Sequence, residues 1–115
     1  MTSYARPQKG KRDTNETPIL KNVANPMGYL EFSEIARHDS AVGSFGFYIR
    51  LGKWDGCDSI FFDEHGCFFV EFKMPGEGYT PNEKVMLLMC AALGLLHYTV
   101  YSYDDMRKVL NERRK

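Results

Sequence analysis

The sequence predicts an α/β domain, helices laid on a mixed sheet, and three observations carry that prediction. The run "DSIFFDEHGCFFVEFK", Asp58 to Lys73, holds two β-branched and aromatic segments around a short turn. Helix-capping sequences follow at "TPNE" and "SYDD", with the strand-like "LLHYTVYS" between them. A chain of 115 residues, 43% of them hydrophobic, can build one core and is too short for two. The predicted order is helix, strand, strand, strand, helix, strand, helix, sandwiched around one sheet.

Residues 1–18, "MTSYARPQKGKRDTNETP", are polar, carry Lys9, Lys11 and Arg12, and show no apolar period. They read as a flexible basic arm ahead of a single domain over 19–115. "MGYLEFSEIARHDSA", Met27 to Ala41, places Leu30, Ile35 and Ala36 on one face of an amphipathic helix, with Glu31 and Glu34 about a turn apart. A strand follows around Phe45 to Leu51, between glycines. The hairpin pairs Asp58–Phe62 with Cys67–Lys73 across a turn at Asp63 to Gly66, where glycine admits a positive φ. Along its second strand Phe69, Glu71 and Lys73 share one face, and Phe68, Val70 and Phe72 the other. Both faces are apolar until the last residues, as in a central strand covered on both sides.

"MPGEGY" is a loop. Thr80 is then a good N-cap, Pro81 suits the first helical position, Glu83 completes a capping box, and Gly94 stops the helix. The apolar run Val85 to Leu96 is too short to span a bilayer and reads as a core helix. Its apolar residues nearly encircle it, so it is either deeply buried or shared with a second subunit, which points to a homodimer. Ser102 caps a closing helix to about Asn111.

Fifteen basic residues balance fifteen acidic ones, which excludes a global field toward nucleic acid or an anionic membrane and leaves only local patches. Three cysteines without a C-x-x-C pair, and no basic-then-apolar leader, read as a reduced, cytoplasmic protein.

Chemistry concentrates at the hairpin's end. Antiparallel pairing brings Asp58 across from the Glu71 region, with Lys73 two residues beyond. Two carboxylates there can share Mg²⁺, which takes oxygen ligands and keeps waters for a phosphate. Lys73 can orient or deprotonate a metal-bound water and steady charge on that phosphate.

Asp58, then Glu71-Phe72-Lys73, resembles the D…(D/E)-x-K motif of the PD-(D/E)xK nuclease superfamily. The continuation through Pro75-Gly76, Thr80-Pro81-Asn82-Glu83, Gly94 and the closing helix is similar to its VRR-NUC family, over Gly56 to Leu110. The resemblance implies a restriction-endonuclease-like mixed sheet flanked by helices and an Mg²⁺- or Mn²⁺-dependent endonuclease acting on DNA, including branched or flapped DNA. It makes Asp58 and Glu71 metal ligands with the backbone carbonyl of Phe72, and Lys73 the catalytic lysine. A further family acid on the first helix falls on Glu34, with Glu31 in reserve. The chain departs from the family pattern at Cys57, where Pro precedes the metal Asp, and at Glu83, where the family has Gln. Glu83, Lys53 and Lys84 are the candidate substrate contacts.

Other readings stand beside this one. Glu83 also serves as a plain capping residue, Glu34 as a solvated helix residue, and Asp55 and Asp58 as turn formers around Gly56. Cys57, His65, Cys67 and His97 lack paired spacing for zinc, and neither Cys57 nor Cys90 has a group to orient a base for hydrolysis. Cys67 and His97 read as core residues. The alternative function is a nuclease-fold binding module or inhibitor from a phage or mobile element, its carboxylates kept without turnover.

Overall fold

In the computed structural model, which describes residues 16–38, 45–52 and 54–114, five strands form one mixed sheet in the order β1-β2-β3-β4-β5. Chain order and spatial order coincide. β1 (Tyr29–Glu31) runs parallel to β2 (Gly46–Arg50), β2, β3 (Ser59–Asp63) and β4 (Gly66–Phe72) form an antiparallel meander, and β4 runs parallel to β5 (Leu96–Val100). Each parallel pair needs a crossover, and a helix supplies it: α2 (Phe32–His38) joins β1 to β2, and α3 (Pro81–Leu93) joins β4 to β5. α4 (Tyr103–Arg113) closes the chain. The α/β class with helices flanking a mixed sheet is therefore as predicted.

The hairpin forms at the predicted register, Ser59 opposite Val70 and Asp63 opposite Gly66, with Gly66 at φ +119. The alternation of β4 divides the molecule into two faces. Phe68, Val70 and Phe72 point into the core, where Tyr48, Phe61 and Phe68 stack across three adjacent strands at centroid distances of 5.0 and 5.2 Å. Each such pair contributes about 0.5–1.5 kcal/mol beyond burial. Met106 and Leu110 of α4 close this face, together with a helix the sequence reading passed over. That helix, α1, spans 16–24 and ends in the π-helical turn Leu20–Ala24, with Asn25 N–H bonded to the Leu20 carbonyl at 2.9 Å. Residues 16–18 thus belong to a helix and not to a flexible arm; residues 1–15 of that arm lie outside the described residues.

Three further expectations change. The helix predicted from Met27 begins at Phe32, because Tyr29–Glu31 pair with β2 and bury Tyr29 completely. The second face of β4 is only half covered: Phe69 is half-buried and Cys67, read as core, is exposed. α3, read as a core helix, buries only Glu83 and Cys90, since its apolar residues encircle it while it packs mainly on β5. No helix among the described residues is long and apolar enough to cross a membrane.

The end of the sheet opposite the predicted site is tied by Asp63. Its buried carboxylate accepts from Arg113 Nε and Nη2 at 3.0 and 2.7 Å, from Tyr29 Oη at 2.8 Å, and from the His65 amide at 2.9 Å. Four donors from β1, the hairpin turn and α4 converge on one anion. Burial pushes this carboxyl up, but the Arg113 and Tyr29 hydrogen bonds outweigh it and hold it below the usual range.

Candidate active site

The C-terminal ends of β1, β2, β4 and β5 and the start of β3 lie at one end of the sheet. Continuing the hairpin register one step beyond Ser59 and Val70 sets Asp58 across from Glu71, on the half-covered face. Asp58 Oδ2 accepts the Phe72 amide at 2.7 Å, which anchors its carboxylate to the edge of β4. A strand residue's amide and carbonyl point to the same edge, so the Phe72 carbonyl faces Asp58 too. Lys73 follows β4 directly, its amide bonded to the Val100 carbonyl at 2.9 Å.

Charged residues at a strand end usually reach water, but these do not. Asp58, Glu71, Lys73 and Glu83 are all at least 96% buried, their exposures running from 1 to 4%. Lys73 Nζ lies 2.6 Å from Glu83 Oε1 and 3.8 Å from Glu71 Oε2. The same Glu83 oxygen accepts the Thr80 amide at 2.8 Å while Thr80 Oγ1 accepts the Glu83 amide at 3.2 Å, a complete capping box. The cap that starts α3 therefore also holds the lysine that ends β4. Burial opposes charge on both partners. For Lys73 the Glu83 hydrogen bond and the negative charges of Glu83, Glu71 and Glu77 together outweigh burial and raise its pKa; for Glu83 its hydrogen bonds with Lys73, Glu71 and the Thr80 amide, with the Lys73 charge, together outweigh burial and lower the carboxyl.

Glu83, expected among the substrate contacts, is instead this buried partner. Lys84 beside it is exposed, and Lys53 lies outside the described residues. Glu34 is not brought to Asp58 and Glu71. It sits on α2 with its carboxylate 2.5 Å from Arg37, and Glu31 approaches Arg50 Nε at 3.8 Å. Glu31 belongs to β1, which β2 and β3 separate from β4 by about 14 Å at a strand spacing of ~4.8 Å, and α2 packs on β1 and β2. The four residues weighed for zinc are not gathered. Cys57 is buried with its thiol toward the Val70 carbonyl at 3.2 Å, and Cys67 is exposed. Burial pushes the Cys57 thiol up to about 12, so it is no nucleophile at neutral pH.

Among the described residues no three His, Cys, Asp or Glu side chains assemble as a metal cluster. Mg²⁺ in phosphate chemistry rests on one or two carboxylates with waters and substrate oxygens, so the test of fit is the pair Asp58 and Glu71. They and the Phe72 carbonyl are hard oxygen donors. The residues present fit such an ion. Compared with protein-family models, with curated proteins and with solved structures, the chain matches none.

The burial of Lys73 changes what its truncation does. A strand-end lysine in water would tolerate alanine; here Lys73→Ala strands Glu83 in the interior and costs about 3–5 kcal/mol of stability. Combining Lys73→Met with Glu83→Gln should restore most of it. The lowered Glu83 carboxyl stabilises the fold fully above its ordinary value of 4.5 and stops doing so as pH falls through its lower folded value. The raised Lys73 stabilises it fully below 10.5 and stops doing so as pH rises through its higher one. Urea unfolding of wild type, Lys73→Ala and the double variant across pH should thus show the full effect between about 4.5 and 10.5 and its decay at more acid and more alkaline pH. A single-variant cost under ~1 kcal/mol at neutral pH would contradict a sealed pair.

Proposed function

We propose that the chain is a cytoplasmic, metal-dependent endonuclease of the VRR-NUC type within the PD-(D/E)xK superfamily, hydrolysing phosphodiester bonds in DNA. The observation that carries this reading is the meeting of Glu71 and Lys73, 3.8 Å apart and sealed from water, with Asp58 across the hairpin.

In this reading Asp58, Glu71 and the Phe72 carbonyl hold Mg²⁺ or Mn²⁺. The ion supplies Lewis-acid polarisation of the phosphate and a lowered pKa for a bound water. Lys73 contributes a fixed positive charge where negative charge develops on the phosphate. It does not serve as the base, because Glu83 and Glu71 stabilise its ammonium form. Lys84, exposed on the first turn of α3, meets the phosphate backbone in this reading.

A second reading, a nuclease-fold binding module without turnover, draws on one observation. Glu83 Oε1 at 2.6 Å engages the ammonium that a phosphate would otherwise meet. The assay that separates them uses duplex, single-stranded and flapped DNA. The endonuclease cuts at least one of these with Mg²⁺ or Mn²⁺ and none with EDTA, and Mn²⁺ supports the faster reaction because Mg²⁺ demands stricter octahedral geometry. Asp58→Asn keeps an acceptor for the Phe72 amide, so it should fold and lose on the order of a hundredfold or more in rate. An inert wild type on every substrate with either ion leaves the binding module.

We also propose a homodimer through α3. Val85, Leu88, Met89 and Leu93 are exposed, Leu88 by 70% and Leu93 by 65%, and a second copy of the same helix offers a matching apolar surface. Light scattering should return twice the chain mass for wild type and the single mass for Leu88→Glu. A monomeric wild type at micromolar concentration overturns it.

A further inference from the structure

The loop between β2 and β3, which leads into Asp58, carries the chain's single tryptophan, and the reading above gives it no role. Trp54 is 52% exposed, yet its indole is not adrift. A Cβ built on Gly56 would lie 2.5 Å from Trp54 Cη2 and 2.7 Å from Cζ2, so the ring rests on the bare backbone of a buried glycine. The loop beneath it is closed by Leu51 N–H to the Asp58 carbonyl at 2.9 Å and by Trp54 N–H to the Leu51 carbonyl at 3.1 Å. Asn82 Nδ2, one residue before Glu83, donates to Asp55 Oδ2 at 3.1 Å and ties the loop to the start of α3. The six-membered end of the indole is thereby seated against Gly56 while about half of the residue stays exposed, four residues from Asp58.

An aromatic ring also borders the cluster itself. The Tyr79 ring lies 5.5 Å from Lys73 Nζ, its hydroxyl is 2.5 Å from Thr99 Oγ1, and Tyr101, partly exposed just past β5, bonds to it. The chain has no net charge to hold a polyanion, so affinity for a strand must draw on contacts other than bulk electrostatics. Every nucleobase offers a π-face, and seated aromatic rings beside a phosphate site are the usual platform for it.

We infer that Trp54 is a stacking platform for an unpaired nucleobase, so that single-stranded DNA binds more tightly than continuous duplex. This deepens the endonuclease reading and rests on it.

The test titrates the full chain, with Ca²⁺ replacing Mg²⁺, with a fluorescein-labelled oligothymidylate and a labelled blunt duplex. Anisotropy reports binding, and the lone indole reports stacking through its own emission. Oligothymidylate should bind and quench Trp54. Trp54→Ala should bind it about tenfold more weakly or worse, while Trp54→Phe keeps most of the affinity and duplex binding barely changes. Circular dichroism checks that both variants are folded, and Gly56→Ala, which unseats the ring, should lower the quenching with the tryptophan still present. Binding by anisotropy with unchanged emission and an unaffected Trp54→Ala overturns the platform and leaves the nuclease reading standing. No binding of either DNA overturns both.

Discussion

An ammonium with 3% of its surface exposed needs an anion at hydrogen-bonding distance, and Glu83 provides it for Lys73. Much of this end of the molecule follows from that requirement. Glu83 reaches Lys73 from the third position of α3 because the capping box with Thr80 already fixes its carboxylate. The loop 74–79 must then turn the chain back sharply, and it does so through the turn closed by Glu77 N–H to the Met74 carbonyl at 3.0 Å. The buried pair thus joins the end of β4 to the start of the helix that crosses to β5.

The same strand separates stability from chemistry by alternation. Phe68, Val70 and Phe72 complete the aromatic and aliphatic core under α1 and α4, while Glu71 and Lys73 face α3 at the half-covered surface. Buried carboxylates crowded around one lysine are poor stabilising elements compared with apolar residues of the same volume. The cation site proposed above would give them a role that folding alone does not require. At the opposite end, Asp63 and Arg113 form a saturated ion pair with four donors on one carboxylate, and that pair does only structural work.

Where local signals were strong, the sequence was legible. The capping box at Thr80, Gly94 ending α3 at φ +72, the Ser102 cap and the hairpin register all appear as read, and register alone placed Asp58 beside Glu71. α1 went unread although Ile19, Leu20, Val23 and Ala24 carry a helical i, i+4 stripe, since the polar segment before it dominated. β1 was missed because three residues are too few to show a period, and its pairing with β2 is tertiary. The depth of Lys73 could not be seen either. Spacing brings charges together, but burial depends on how α3 folds back over them, and the partnership with Glu83 spans a loop whose path no propensity specifies.

The central claim is that Asp58 and Glu71 hold one hard divalent cation beside a lysine kept charged by Glu83. Binding of Mn²⁺ followed by electron paramagnetic resonance tests this without reference to any substrate. The account predicts one bound ion per chain, displaced by excess Mg²⁺ and lost in folded Asp58→Asn. A wild-type chain that leaves Mn²⁺ free in solution, or an Asp58→Asn chain that binds it equally well, would contradict it.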